Sequence, residues 1–189
     1  VSLGADQAVL LSDKEFAGAD TLATSYTLSR GISKLGDVDL ILTGKQAVDG
    51  DTAQVGPGIA VHLGLPQIIF VKKIRKIDES RMTAERMTED GFEVVEADLP
   101  VLVSVVKDIN TPRLPSLRGK MNAKKAEITV WTAADLDADR ERLGLDGSPT
   151  WVDSIFSPPA KSGGRVFSGE PEEVVDAFYK ECQDQQLFS

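Results

Sequence analysis

The sequence predicts an α/β fold with a mostly parallel, doubly wound sheet, an antiparallel hairpin and an extended C-terminal arm. Apolar strand patterns at 39–44 and 67–74 each follow a helical pattern, and this alternation is typical of parallel sheets. Residues 81–98 alternate polar and apolar side chains around a turn at 89–91, which indicates a hairpin. From residue 132 onward the chain is acidic and then rich in Pro, Gly and Ser, which predicts an arm.

The first half of the chain has the pattern of two successive strand–helix–strand units. An apolar run at 8–13 predicts the first strand, and Asp20 is expected to cap a helix that ends at Gly36. The uninterrupted apolar run DLILTG, residues 39–44, predicts a strand buried on both faces. A second helix over 55–63 leads to the next strand. Both units are expected to share one sheet.

The second half is expected to complete the sheet and then to leave it. PVLVSVV, residues 100–106, has the composition of another fully buried strand. Residues 108–127 contain prolines and many basic side chains, which predict a long exposed loop running into a short helix. EITVW predicts a last strand, and the segment 171–188 a terminal helix with proline at its first position. We therefore expect two domains, 1–131 and 132–189.

Composition and charge exclude several functional classes. The chain has 189 residues, 41% of them hydrophobic and 27% charged, enough to bury a core. Its net charge of −9 argues against binding to nucleic acid or to an anionic membrane. No apolar run approaches the ~18 residues of a membrane span, and the single cysteine, Cys182, fits a reducing compartment. We expect a cytoplasmic protein with no nucleic-acid or membrane partner.

The segment KQAVDGDTAQVG stands at the end of a predicted strand, where open parallel sheets bind ligands. Gly50 is expected to allow a tight or positive-φ turn. Asp51 with Gln54 resembles a capping box for the next helix. The backbone N–H groups of Thr52, Ala53 and Gln54 would then face an anion such as phosphate.

Alternatives remain open for this loop. Asp49 would repel a phosphate, so we expect its carboxylate to accept ribose hydroxyls or to anchor the loop. Pro57 favours a later start for the helix, and an ordinary capped loop without a ligand explains the same residues equally well. Because the spacing is neither a P-loop nor GxGxxG, these residues alone do not identify a ligand.

GKQAVDGDTAQVGPGIAVHLGLPQ, residues 44–67, resembles the signature of the electron transfer flavoprotein beta subunit. The resemblance reaches back to LGAD at 3–6 and covers the chain to about residue 130, then more weakly the tail. Members of that family carry a further N-terminal segment of βαβ size, so we expect that this chain is a fragment or that its pocket is incomplete. The other matching positions are Asn110, Pro112, Arg113, Leu117, Met121, Ala123, Lys124 and Lys125.

This resemblance implies a Rossmann-like, adenine-nucleotide-binding domain in a heterodimer with the alpha subunit, which the C-terminal arm contacts. The family passes electrons between NADH or acyl-CoA dehydrogenases and a redox partner. FAD is expected in this subunit, with AMP as the alternative, because DGDTAQVGP resembles the electron-bifurcating members, which oxidise NADH. The family's nucleotide loop maps onto Gly44, Lys45, Gln46, Ala47, Val48, Asp49, Gly50, Asp51, Thr52, Ala53, Gln54 and Val55.

The segment 107–125 resembles the family's recognition loop, which docks acyl-CoA dehydrogenases. Leu117 stands where the family inserts a leucine into the dehydrogenase, and it is flanked by the basic partner-docking residues Arg113, Arg118 and Lys120. The alternative is that Leu117 packs onto its own domain, since single apolar surface residues are common.

No catalytic residue and no metal ligand is expected. His62 has no partner carboxylate nearby in the sequence, so a structural role is favoured over that of a base. The alternative function is a nucleotide-binding regulatory or ATP-using α/β domain without a redox role. That class would need a glycine-rich phosphate loop at a strand end, and the sequence contains none.

Overall fold

A computed structural model describes residues 1–159 and 164–187. The chain divides into two compact units, Val1–Val152 and Asp153–Ser189. The boundary expected at 131/132 lies inside the first unit, where Ala133 and Leu143 are buried against Tyr26.

The elements of the first unit, in chain order, are β1 Val9–Leu11, α1 Thr21–Leu35, β2 Leu40–Gly44, α2 Val55–Leu63, β3 Gln67–Ile77, β4 Arg81–Met87, β5 Phe92–Asp98, β6 Val101–Val105, α3 Leu117–Lys125 and β7 Thr129–Trp131. Short 3-10 turns occupy Lys14–Phe16, Lys107–Ile109, Ala133–Asp135 and Arg140–Arg142.

The main sheet has five strands in the order β2–β6–β3–β4–β5. β2, β6 and β3 are parallel, whereas β4 and β5 continue from β3 as an antiparallel meander. Because β6 pairs on both sides, Val101, Leu102 and Val103 are fully buried. The predicted α/β architecture with an antiparallel hairpin is therefore confirmed.

The first strand does not join this sheet. β1 pairs in parallel with β7, with Val9 opposite Thr129, in a separate two-stranded sheet. The prediction that both strand–helix–strand units share one sheet is therefore wrong for the first unit. A strand of three residues has too few side chains for its sequence pattern to specify a distant partner.

β2 lies at the edge of the main sheet, and only one of its faces is covered. Ile41 packs with Ile59 and Ala60 of α2 and with Leu102 of β6, whereas Leu42 on the opposite face is 58% exposed. The prediction of a strand buried on both faces is therefore wrong, because within the described residues no helix covers the second face. The opposite side of β6 packs instead beneath the hairpin, against Ile68, Val71, Met82 and Ala84.

The helix boundaries follow local signals in the sequence. The Asp20 carboxylate accepts hydrogen bonds from the N–H groups of Leu22 and Ala23, at 2.9 and 3.1 Å, which satisfies two donors of the first turn of α1. Gly36 ends this helix with φ +95°, and Gly64 ends α2 in the left-handed region, as predicted. α1 and α2 approach closely, because a Cβ on Gly58 would lie 2.5 Å from the Ser25 Oγ.

The second unit contains the helix α4, Pro171–Asp184, which begins at the predicted proline. Glu172 and Glu173 lie in its first turn, where negative charge is favoured. α4 is shorter than the predicted 171–188, and position 188 lies outside the described residues. Among the helices that the structure describes, none is long and apolar enough to cross a membrane.

Candidate functional site

The carboxyl ends of the parallel strands β2 and β6 lie together at one edge of the main sheet, beside the middle of β3. Gly44 of β2 stands opposite Val105 of β6, and Val105 also stands opposite Val71 of β3. The loop 45–54 leaves β2 at this edge and leads to α2. Ligands of open α/β sheets bind at such an edge. The loop therefore lies at a strand end, as expected, and its binding of a nucleotide stays a prediction.

Two residues of this loop have left-handed backbone conformations, Asp51 at φ +51° and Ala53 at φ +55°. For residues with a Cβ such a conformation costs about 1–2 kcal/mol. The turn is stabilised by a hydrogen bond from the Asp51 N–H to the Ala47 carbonyl (3.1 Å) and by one from the Gln46 amide to the Asp51 carboxylate. The loop is thus a defined turn that stores backbone strain.

The predicted capping box is wrong. α2 has Gln54 as its N-cap residue, with no side-chain cap hydrogen bond, because the Asp51 carboxylate is occupied by Gln46. The Gln54 side chain instead accepts a hydrogen bond from the Thr21 hydroxyl of α1 (3.0 Å). Gly50 lies in the predicted tight turn, but the positive φ angles fall at Asp51 and Ala53 instead.

The N-terminus of α2 has free hydrogen-bond donors. Within the part of the chain that the structure describes, the N–H groups of Val55 and Gly56 donate to no acceptor. Pro57 is the third helical residue, and its missing N–H costs no bond in a first turn. The donors expected at 52–54 precede the helix, so the first turn itself supplies the groups suited to an anion.

Thr43 and Gly56 form a close contact where β2 meets α2. The Thr43 hydroxyl is buried and has no hydrogen-bond partner among the described residues. A Cβ on Gly56 would lie only 2.7 Å from its oxygen, so a larger residue would push the helix away from the strand. Sequence reasoning missed both residues, although a glycine at the second helical position was a usable signal.

Lys45 reaches across the end of β6 to Phe70 on β3. Its ammonium nitrogen lies 5.2 Å from the centre of the Phe70 ring, and β6 separates β2 from β3 in the sheet. Phe70 has φ +60°, and its N–H donates to the hydroxyl of buried Ser104 (3.0 Å). A cavity of about 430 Å³ adjoins the pair. Sequence reasoning missed Phe70 and Ser104.

The predicted docking segment forms α3 and the loop before it. The Ser116 hydroxyl caps α3 by accepting from the Gly119 N–H (3.0 Å). Leu117 opens the helix and is 82% exposed, so it does not pack onto its own domain as the alternative required. Arg118 and Lys120 form no ion pair with the described residues.

The N-terminal residues pack against the first turn of α3. A Cβ on Gly4 would lie 3.1 Å from the Arg113 guanidinium, and a Cβ on Gly119 would overlap the carbonyl oxygen of Ser2. A cavity of about 550 Å³, lined by both Arg113 and Arg118, lies between the two segments. Arg113 and Arg118 therefore share one surface region, whereas Leu117 and Lys120 of the same helix as Arg118 are exposed to solvent.

His62 packs in a small cluster with Tyr26 and Arg142. The His62 ring lies edge-on to the Tyr26 ring, with 5.5 Å between the ring centres. The Arg142 guanidinium carbon lies 3.8 Å from the centre of the Tyr26 ring. Burial and the nearby Arg142 charge lower the pKa of His62, which favours the neutral form. This supports the structural role expected from the sequence. No group of three metal-ligating side chains occurs among the described residues.

Comparison with known proteins identifies relatives over nearly the whole chain. Residues 1–136 match the family model described as electron transfer flavoprotein domain. The chain is 46% identical to the electron transfer flavoprotein subunit beta of Megasphaera elsdenii, with 99% of this chain and 72% of that protein covered.

Two further relatives are named for other complexes. The chain is 49% identical to the caffeyl-CoA reductase-Etf complex subunit CarD of Acetobacterium woodii, with 99% of this chain and 71% of the relative covered. It is 45% identical to the protein FixA of Bradyrhizobium diazoefficiens, with 94% of this chain and 64% of the relative covered.

Proposed function

The chain belongs to the electron transfer flavoprotein family, and we propose that its β2–α2 loop, residues Gly44–Val55, binds the phosphate and ribose of an adenine nucleotide. FAD is the proposed nucleotide, with AMP as the alternative. The chain serves electron transfer as a beta subunit, in agreement with the relatives that share 46% or more of its residues.

The observation that carries this proposal is the set of donors at one edge of the sheet. The free N–H groups of Val55 and Gly56 lie near the carboxyl end of β2. The Lys45 ammonium lies near the end of β6 and has no ion pair among the described residues. A phosphate group requires such backbone donors together with positive charge. The donor set therefore fits the phosphate end of an adenine nucleotide.

The residues of the loop have separate proposed roles. Val55 and Gly56 donate to phosphate oxygens, and Lys45 balances the phosphate charge. Gln46 and Asp51 hold the turn, whereas the exposed Asp49 accepts from ribose hydroxyls. When a flavin is bound, it supplies the chemistry of reversible one- and two-electron transfer. The protein's contribution is to bind and orient the nucleotide.

We further propose that the subunit works in a heterodimer with the alpha subunit, and that α3 docks an acyl-CoA dehydrogenase. Leu117 is an exposed apolar side chain beside Arg118 and Lys120, the pattern of an interface anchor with a charged rim. The bifurcating reaction with NADH belongs to the same proposal, because it requires FAD rather than AMP in this subunit.

The nucleotide proposal is tested on the full-length chain co-expressed with its alpha subunit. Asp51→Ala removes the acceptor for Gln46 and places an alanine at φ +51°, so we expect about tenfold weaker nucleotide retention, since a lost hydrogen bond costs about 1–1.5 kcal/mol. Asp51→Asn is the matched control, because asparagine tolerates the left-handed conformation and keeps an acceptor oxygen. Equal nucleotide content in all three proteins after gel filtration would contradict the loop assignment.

The identity of the nucleotide separates the two functional classes. Nucleotide released from the heterodimer is identified by chromatography and by its visible spectrum. Flavin beyond the content of the alpha subunit supports FAD in this site, and AMP supports the alternative. Release of ATP with turnover would favour the regulatory or ATP-using class instead.

A further inference from the structure

Phe70 has an unusual backbone conformation for a residue in a strand. Its φ of +60° is an outlier for a bulky side chain, and such strain clusters at functional sites. Ser104, only 1% exposed, holds this conformation by accepting the Phe70 N–H. The pairing of β3 with β6 shifts register between Ile68 and Val71, and a bulge of this kind re-aims a side chain.

The re-aimed ring meets the first residue of the nucleotide loop. Lys45 must cross the end of β6 to reach it, and the 5.2 Å separation between the ammonium and the ring centre lies within the range of a cation–π contact. We propose that Phe70 is a positioning residue that holds the Lys45 ammonium over the carboxyl end of β6, where the ammonium meets a phosphate of the bound nucleotide. This inference rests on the proposed nucleotide function.

An aromatic ring suits this task better than a carboxylate does. Cations on the neighbouring hairpin pair with acids, as Arg75 does with Glu85 and Arg81 with Asp98. Those pairs neutralise the charge of the cation, whereas a ring attracts an ammonium without adding a negative charge. Lys45, which has no ion pair among the described residues, therefore keeps its full positive charge for a ligand anion.

The space beside the pair can hold a ligand group. Lys45 and Phe70 line the cavity of about 430 Å³ together with Val106, Met87 and Arg86. Arg86 forms an ion pair with Glu93 at 3.1 Å, so Lys45 is the cation of this lining whose charge is not balanced by an acid among the described residues. The ligand class is thus a phosphate or diphosphate group next to an apolar wall.

The inference is tested by a double-mutant cycle in the heterodimer, with nucleotide Kd as the readout. Phe70→Leu is expected to weaken binding about three- to tenfold, the range of a cation–π contact. Lys45→Met is expected to weaken it by about tenfold or more, because the charge-assisted contact with the phosphate is lost as well. The double variant should be no weaker than Lys45→Met alone, because the ring acts only through the lysine. Phe70→Tyr keeps the ring and should restore wild-type affinity, whereas Ser104→Ala should resemble Phe70→Leu.

A matched pair on the hairpin provides the control. The Lys72 ammonium lies 4.4 Å from the Phe92 ring, and neither residue lines the cavity beside Lys45 and Phe70, so Lys72→Met and Phe92→Leu should leave nucleotide Kd unchanged. A second readout, independent of the ligand, is the ring-current shift of the Lys45 side-chain protons, which should disappear in Phe70→Leu and persist in Phe70→Tyr.

The outcomes separate this inference from the function on which it rests. Additive effects of Lys45→Met and Phe70→Leu, or a Phe70→Tyr variant as weak as Phe70→Leu, would overturn the positioning role while the nucleotide site stands. A wild-type heterodimer that binds no adenine nucleotide in this subunit would overturn both. Coupled effects with rescue by tyrosine support the inference.

Discussion

The proposed nucleotide loop, residues 45–54, and the α3 segment, residues 113–125, are both exposed, but they are built in opposite ways. The loop contains two left-handed non-glycine residues and leads into a helix without a side-chain cap. The α3 segment has a serine-capped helix that presents Leu117 to solvent.

The difference indicates two kinds of ligand. Uncapped backbone donors and an unpaired cation suit a small anion, which can satisfy them directly. A capped helix needs no such ligand, and its exposed leucine gains only by burial against another apolar surface. The loop thus suits the proposed phosphate ligand, and the α3 segment suits the proposed protein partner.

The largest expected effect is a loss of stability at the contact between Thr43 and Gly56, where the loop joins α2. Gly56→Ala places a methyl group against the Thr43 hydroxyl, at 2.7 Å, and should lower the free energy of unfolding by about 1–3 kcal/mol. Thr43→Ala removes that oxygen and should restore stability in the double variant. Gly50→Ala is the control, since nothing lies within 4 Å of its Cβ position. Additive losses in urea unfolding would show that the close contact is not the cause.

On the α3 side, Leu117→Ala should weaken binding of the cognate dehydrogenase by about 2 kcal/mol, or thirtyfold. Because Leu117 is 82% exposed, the unfolding transition should not move. Leu42→Ala, another exposed leucine on the edge strand β2, is the control and should leave dehydrogenase affinity unchanged. Loss of stability in Leu117→Ala would instead make Leu117 part of the fold.

The caps of the two helices provide a smaller test. Ser116→Ala removes the hydrogen bond to the Gly119 N–H and should destabilise α3 by about 1 kcal/mol. Gln54→Ala removes no cap bond from α2 and should cost less, since only its contact with Thr21 is lost. Amide hydrogen exchange in the first turn of each helix measures the two effects. Equal increases in exchange would contradict the contrast between the helices.

The smallest expected effect is a change in stability that has opposite signs when two alanines are replaced by glycine. Ala53→Gly relieves a left-handed residue at φ +55°, which gains about 1–2 kcal/mol against a flexibility cost of roughly 0.5–1 kcal/mol. Ala126→Gly, at φ −70° after α3, has only the flexibility cost. Thermal unfolding should therefore show a slight gain for the first variant and a loss for the second. Losses in both would argue against strain in the loop.

Much of the fold was predictable because its signals are local. Asp20 and Gly36 bound α1, and the alternation in 81–98 gave the hairpin, since caps and strand periodicity depend on neighbouring residues. The pairing of β1 with β7 was not predictable, because three-residue strands carry too little pattern to select a distant partner.

The position of the candidate site was predictable, but its geometry was not. The end of a predicted strand located the loop, whereas the capping box failed because Gln46 competes for Asp51. Phe70 lies in an apolar run without glycine, so nothing in the sequence indicated a left-handed conformation. Its contact with Lys45 depends on the sheet order, which places β6 between their strands.

The most direct test of the two proposed binding surfaces is the nucleotide content of the heterodimer, counted per alpha–beta pair in wild-type, Lys45→Met and Leu117→Ala proteins. After dialysis near the wild-type Kd, Lys45→Met should bind the nucleotide of this subunit more weakly, by about tenfold or more, because the charge-assisted contact with the phosphate is lost. Leu117→Ala should retain the nucleotide fully. Equal retention in Lys45→Met and wild type, or loss in Leu117→Ala, would contradict the assignment of the loop to a nucleotide and of α3 to a protein.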